Sequence, residues 1–318
     1  MSADQEITKN YGVGMRDKNS RLPKVFFAIV LFNLSWTCKA QAPSAPAAGT
    51  SAAAPAQQDL SNWWRKSSLS YAKVPTQFLA HVDGTLSYSN SQGNTVGTTF
   101  NGKLDLSLRK ERLTSRTTAW LQKQNVVYGF NAGSAHVTQD LMREQLNFDV
   151  TKHSSLIAGV EDYTFTLIFM NDRFTEYGGY GAELLKDKRQ KLNMVGALGY
   201  SEFKFNRAGM LSIPSPIIHA KVLKLDTTPA GAGAMVMEAY NIELPRKMMI
   251  NQTGSYMKFF DSYLGHQAMF NTNLDVPLSK HVGFTPGYQL IDQDNQIVDA
   301  LGVKTEDRVL TLGLKLSW

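Results

Sequence analysis

The sequence predicts an all-β fold, a transmembrane antiparallel up-and-down β-barrel of about 12 strands. Three observations carry this. The last stretch of chain alternates apolar and polar residues, the alternating segments are longer than strands of soluble sheets, and the connections between them are alternately short and long.

The final stretch, Asp307 to Trp318, places Leu310, Leu312, Leu314, Leu316 and Trp318 on every second position, with Thr311, Gly313, Lys315 and Ser317 between them. An extended chain so written has one apolar and one polar face, as a strand between two solvents requires. Ending on an aromatic residue, it resembles the C-terminal insertion signal through which the barrel-assembly machinery of bacteria recognises outer-membrane barrels. A half-buried terminal strand of a soluble sheet has the same local pattern, so the rest of the chain has to decide.

From Leu79 onward a period of two persists. In the first strand Ala80, Val82, Gly84, Leu86 and Tyr88 alternate with His81, Asp83, Thr85, Ser87 and Ser89; in the second Val96 to Leu108 alternate with Thr99 to Arg109. The second is far longer than the roughly five or six residues usual in soluble sheets and suits a tilted membrane span of about 9–11 residues with overhang. Further strands are marked by Leu192 to Tyr200, Ala268 to Val276 and Val282 to Leu290, and weaker ones near 113–123, 140–150, 156–165, 174–185, 234–244 and 248–260. Two of these resist the scheme. Glu238 falls on the face of Val236 and Tyr240, and 248–260 alternates poorly, so a bulge or a headgroup-edge position is expected there.

Short connections are expected near Lys110-Glu111, Thr151 to His153, Lys186 to Lys188, Pro245-Arg246 and Leu278 to Lys280. The intervening set includes the long stretches around Tyr128 to Ala135, Arg207 to Gly233 and Asp292 to Glu306. Short turns on one side and long loops on the other are a property of outer-membrane barrels.

Composition limits what the chain can be. At 43% hydrophobic residues with a slightly negative mean hydropathy, the chain is no helical membrane protein. Half of the net charge of +6 falls before residue 41, where six basic residues face Asp4, Glu6 and Asp17. The remaining +3 is too weak an excess to argue for nucleic acid.

The domain plan follows. Residues 1–40 read as an export signal: Arg16, Lys18, Arg21 and Lys24 precede the apolar run Val25 to Phe32, and Cys38-Lys39-Ala40 offers a cleavage site, with translation starting either at Met1 or at Met15. The run is too short to span a bilayer as a helix. Cleavage removes Cys38, the single cysteine, and with it all thiol chemistry. Residues 41–78 form an Ala/Pro-rich linker followed by Trp63-Trp64-Arg65-Lys66, which suits either a membrane interface or an irregular cover packed on the domain. Residues 79–318 form the barrel.

From about Ala80 to Trp318 the chain resembles the salt-induced outer-membrane protein family, a domain family of unknown molecular function. The resemblance rests on Gly93-Asn94-Thr95, on Asp172-Arg173-Phe174 leading into Tyr177-Gly178-Gly179-Tyr180-Gly181-Ala182-Glu183-Leu184, and on Gly196-Ala197-Leu198-Gly199-Tyr200. It implies an outer-membrane barrel and a link to osmotic stress, with no reaction. Trp318 stands where the family usually has phenylalanine, and the Arg207 to Gly233 loop and the Ala/Pro linker look like additions.

Gly178, Gly179 and Gly181 are expected to permit strong coiling and to let a neighbouring side chain lie flat across the strand. They are not a phosphate loop, since no helical period follows. Catalytic, cofactor and metal sites are not expected. The histidines at 81, 136, 153, 219, 266 and 281 have no partner at helical spacing, and no serine nucleophile is marked beside those in the outer loops.

Function is therefore sought on the inward face, where alternation places Asp83, Lys103, Asp105, Arg143, Asp149, Glu183, Asp275 and Lys315 as lumen-facing candidates, with Gln145, Asn193, Asn273 and Gln289 among them. So polar an interior is either wetted or mutually paired. The expected partners are outer-membrane lipid and lipopolysaccharide, and the barrel-assembly machinery during insertion. The expected function is passive passage of small hydrophilic solutes or ions, with a non-conducting structural envelope protein as the alternative and an outer-membrane hydrolase third.

Overall fold

The computed structural model describes residues 63–318 apart from 64, 65, 92–94, 129–133, 188, 280, 303–305 and 318. The expected signal, the whole Ala/Pro-rich linker, Trp64-Arg65 and Trp318 at the end of the insertion signal lie outside the described residues. Among the described residues twelve strands close into one antiparallel barrel: β1 (Leu79–Ser91), β2 (Thr95–Lys110), β3 (Leu113–Tyr128), β4 (Ser134–Thr151), β5 (Ser154–Phe165), β6 (Met170–Lys186), β7 (Gln190–Phe205), β8 (Ala230–Glu243), β9 (Met249–Phe259), β10 (His266–Pro277), β11 (Val282–Asp294) and β12 (Glu306–Ser317). Each strand pairs with its chain neighbours and β12 returns to β1, with Asp83 opposite Ser317 and Tyr88 opposite Leu312. Closure leaves no strand edge unpaired, which is what a sheet needs where no water reaches its backbone.

Period two sorts the side chains. The outer wall carries Leu104, Leu198 and Leu312 at 49%, 65% and 60% exposure. Above them along the strands stand Tyr88, Tyr200 and Tyr256, and toward the other rim Phe148, Tyr240 and Phe284. Exposed leucines between two aromatic girdles suit a hydrocarbon layer and not water. Glu238 shares this outer face with Val236 and accepts a hydrogen bond from Gln252 Nε2 at 2.8 Å. The bulge expected near it is absent: β8 and β9 pair in continuous register from Gly233–Phe259 to Glu243–Met249. Register shifts occur instead at Asp149/Thr151, Tyr163/Phe165, Met170/Asp172 and Glu183/Leu185.

The connections are asymmetric. One rim carries the short connections from β2 to β3, β4 to β5, β6 to β7, β8 to β9 and β10 to β11. In one of these turns the Asp187 carboxylate accepts the backbone N–H groups of Arg189 and Gln190, which holds its pKa below the usual carboxylate value. The opposite rim carries the long connections, and two of them fold into short helices: α1 (Arg207–Leu211), α2 (Pro216–Val222) and α3 (Gln296–Leu301). Asn206, Ser215 and Asn295 cap their N-termini with side-chain oxygens, and Pro216 takes the first turn of α2, where its missing N–H costs nothing.

Candidate functional site: a charged chamber beneath an apolar plug

The interior has two levels. At the long-loop end α1, α2, α3 and the turn at 166–168 bury Met210, Val222, Ile168 and Ile297 at 0–2% exposure against the inner faces of β4 to β9. Tyr163, Met170, Phe203, Phe205, Met257 and Phe259 complete this apolar plug, and Phe203 stacks on Phe205 at 5.9 Å. Hydrogen bonds tie the plug's segments together: Tyr263 Oη donates to Asp226 O at 2.6 Å, Gln296 N to Tyr263 O at 3.2 Å and Arg207 to Leu225 O at 2.6 Å.

Beneath the plug lies a cavity of about 560 Å³ that reaches the short-turn rim at Lys152 and His153. All eight lumen candidates line it: Asp83, Lys103, Asp105, Arg143, Asp149, Glu183, Asp275 and Lys315. Six of them fall into three mutually paired groups. In the first, Lys315 Nζ reaches Asp275 at 2.8 Å and Asp83 at 3.8 Å, while Asn251 and Thr285 donate to the same Asp275. The second joins Lys103 to Asp105 at 2.8 Å, with Thr118 donating to Asp105. In the third, Glu183 accepts from Lys191, Lys186 and His153.

Arg143 belongs to a fourth network that sequence reasoning missed. Glu161, on β5, accepts from both Arg143 and Arg173, and the Arg173 guanidinium lies 4.9 Å from the centre of the Tyr163 ring. Glu161 and Arg173 are nearly fully buried. On β5 the inward neighbours Ile157, Gly159 and Tyr163 are apolar or aromatic, so Glu161 stands alone among them and the inward face of that strand carries little polar signature. The glycine expectation holds at Gly181, where a Cβ would come within 2.8 Å of the Ile157 side chain, and recurs one strand away, where the Tyr177 ring lies over Gly159 and a Cβ would come within 2.5 Å of it. Gly178 faces outward, away from any such ring.

A strap closes part of the chamber's rim. Arg109 donates to Trp63 O at 2.9 Å and Lys66 O at 2.7 Å, and its guanidinium lies 5.3 Å from the Trp63 ring centre. Ser68 N donates to the Asp149 carboxylate at 2.6 Å. Trp63 is therefore buried in the protein and not a lipid anchor, as the alternative of an irregular cover had it. The histidines are dispersed: His81 pairs with Asp83, His136 lies beside Asn125, His219 donates to Ile213 O and His266 lies beside Asp292. Among the described residues no group of three His, Cys, Asp or Glu is placed to hold a metal ion.

A family model described as "Protein of unknown function, DUF481" matches residues 84–318. The structure is similar to the translocator domain of autotransporter NalP from Neisseria meningitidis, at 9% identity over 76% of this chain and 89% of that one, TM-score 0.41. It is also similar to an outer membrane channel from Pseudomonas putida F1, at 13% identity over 76% and 95%, TM-score 0.40. An anion-selective porin from Comamonas acidovorans matches at 10% identity over 76% and 99%, TM-score 0.33. These are likenesses of fold at low identity. No curated protein matches the chain.

Proposed function

Since the chain belongs to the DUF481 family, whose description assigns no reaction, we propose a function from its own geometry: it is an outer-membrane barrel that is closed to ions at rest and offers a charged chamber to the periplasm. The exposed leucines and aromatic girdles support the membrane, and the short turns support placing the chamber's rim on the periplasmic side. The observation that carries closure is the plug. Completely buried Met170, Met210 and Val222 stand between the chamber and the outer mouth, and an ion crossing them loses its hydration with nothing to replace it.

This reading favours the non-conducting alternative over steady passage. Gated passage of small hydrophilic solutes is the second reading, supported by the chamber itself, because a purely structural barrel has no need of so many ionised side chains in its lower half. An osmotic role, which the family resemblance implies, fits a barrel whose plug leaves the mouth only under stress. Conductance in planar bilayers tests the proposal. The purified full-length protein is expected to insert silently in potassium chloride, and removal of residues 207–225 is expected to create stable unitary currents. Steady ohmic conductance from the intact protein refutes closure at rest.

A further inference from the structure

The apolar plug is drawn from β4 to β9 and the loop helices; the opposite wall, β1 to β3 and β10 to β12, is of another character. Its inward positions at and above the chamber roof include Ser87, Asn101, Gln122, Gln267, Gln289 and Gln293, interrupted by Ile291 and Val309. None of the six carries a charge. Four of them are buried amides with hydrogen-bonding atoms that meet no protein partner. Gln122 is 1% exposed with neither Oε1 nor Nε2 partnered; Gln293 Oε1, Gln267 Nε2 and Asn101 Oδ1 are in the same condition at 3%, 5% and 8% exposure. Native interiors satisfy such groups with protein atoms or with ordered water, and leaving them dry is costly.

Register shows how these amides are connected. Asn101 is the cross-strand partner of Gln122, and Gln122 of Gln139 on β4; between β10 and β11 Gln267 faces Gln293. Asn101, Ser87 and Gln289 also line the chamber. The amide pairs therefore run across the strands as an uncharged layer at the chamber roof, beside the plug. We propose that this uncharged strip is a narrow hydrated seam that passes water and small neutral hydrogen-bonding solutes, such as urea or glycerol, while refusing ions. Amides and hydroxyls exchange hydrogen bonds with a neutral solute one at a time, but a few of them do not replace the hydration shell of an ion. The inference rests on the proposed membrane location and is separate from the ion-tight closure.

The test is stopped-flow light scattering on liposomes containing the full-length protein, with potassium chloride conductance measured on the same preparation. Water exit under a sucrose gradient and entry of urea and glycerol are expected to exceed those of protein-free vesicles while the conductance stays silent. Replacing Gln122→Leu together with Gln293→Leu should lower the protein-dependent flux about tenfold, as the loss of buried hydrogen-bonding stations implies. Folding of the variant is read from its altered gel mobility without heating, and Gln293→Ala alone serves if the double variant does not fold. Wild-type flux equal to that of empty vesicles overturns the seam and leaves closure standing, as would be the case if the amides simply pair with one another. Variant flux equal to wild type also overturns it. Ionic current accompanying the solute flux overturns ion exclusion and the closure proposal together.

Discussion

Glu161 is the residue on which the upper chamber depends, because one carboxylate serves the buried guanidinium of Arg173 and the half-buried one of Arg143. Removing its charge leaves Arg143 and Arg173 uncompensated, so Glu161→Gln is expected to destabilise the barrel by about 3–5 kcal/mol. The measurement is the temperature at which the compact form disappears from an unheated denaturing gel; an unchanged transition contradicts the role given to this carboxylate. Facing is tested on adjacent residues of β2. Leu104 is half exposed on the outer wall near the middle of its strand and Lys103 pairs with Asp105 in the chamber. Leu104→Arg should cost about 2–4 kcal/mol at the midplane, whereas Lys103→Ala should leave folding intact. The reverse outcome means that every facing is inverted. Lys103 and Asp105 were legible in the sequence because polar inward residues alternated with leucines. The partners of Glu144 were not: the alternation that puts Arg143 and Gln145 inward puts Glu144 on the outer face, but only the pairing of β3 with β4 brings Ser115 and Thr117 to donate to it there.

At the level of elements, strands and turns were legible and the plug was not. A strand between lipid and water writes its period into the sequence, as β2 and β12 do. Where the interior is itself apolar the period reverses, with Phe203 and Phe205 inside against Glu202 and Lys204 outside on β7 and Met257 and Phe259 inside against Lys258 outside on β9, so polar positions no longer mark the lumen. The short helices gave even less, since α1 and α2 are too brief to establish a helical period and are fixed by caps and by burial in the mouth. The strap is a separate element held chiefly by Arg109. Arg109→Ala removes two hydrogen bonds and the contact with Trp63, so trypsin cleavage after Lys66 in the folded protein should accelerate about tenfold. Unchanged cleavage means that the strap is held elsewhere. At the other end, the alternate leucines of β12 and the terminal aromatic are proposed to act as the insertion signal. Deleting residues 316–318 should leave exported chain in the periplasm for proteases, and normal membrane levels of the truncated protein contradict that role.

Taken as a whole molecule, the barrel joins an outer wall that fits lipid, a chamber of paired charges open at the short-turn rim, and an apolar plug beneath the long loops. Its charges are nearly self-sufficient, which is why alternation alone could place the lumen residues but could not tell a filled lumen from a wetted one. The separation of chamber from outer mouth is the central claim, and side-specific thiol labelling tests it most directly. Thr85 lines the chamber, and Cys38 is the single native cysteine. In cells carrying Thr85→Cys with Cys38→Ser, a charged, membrane-impermeant thiol reagent applied outside should fail to label the barrel, and the same reagent admitted to the periplasm should label it. Rapid labelling from outside intact cells would contradict the account.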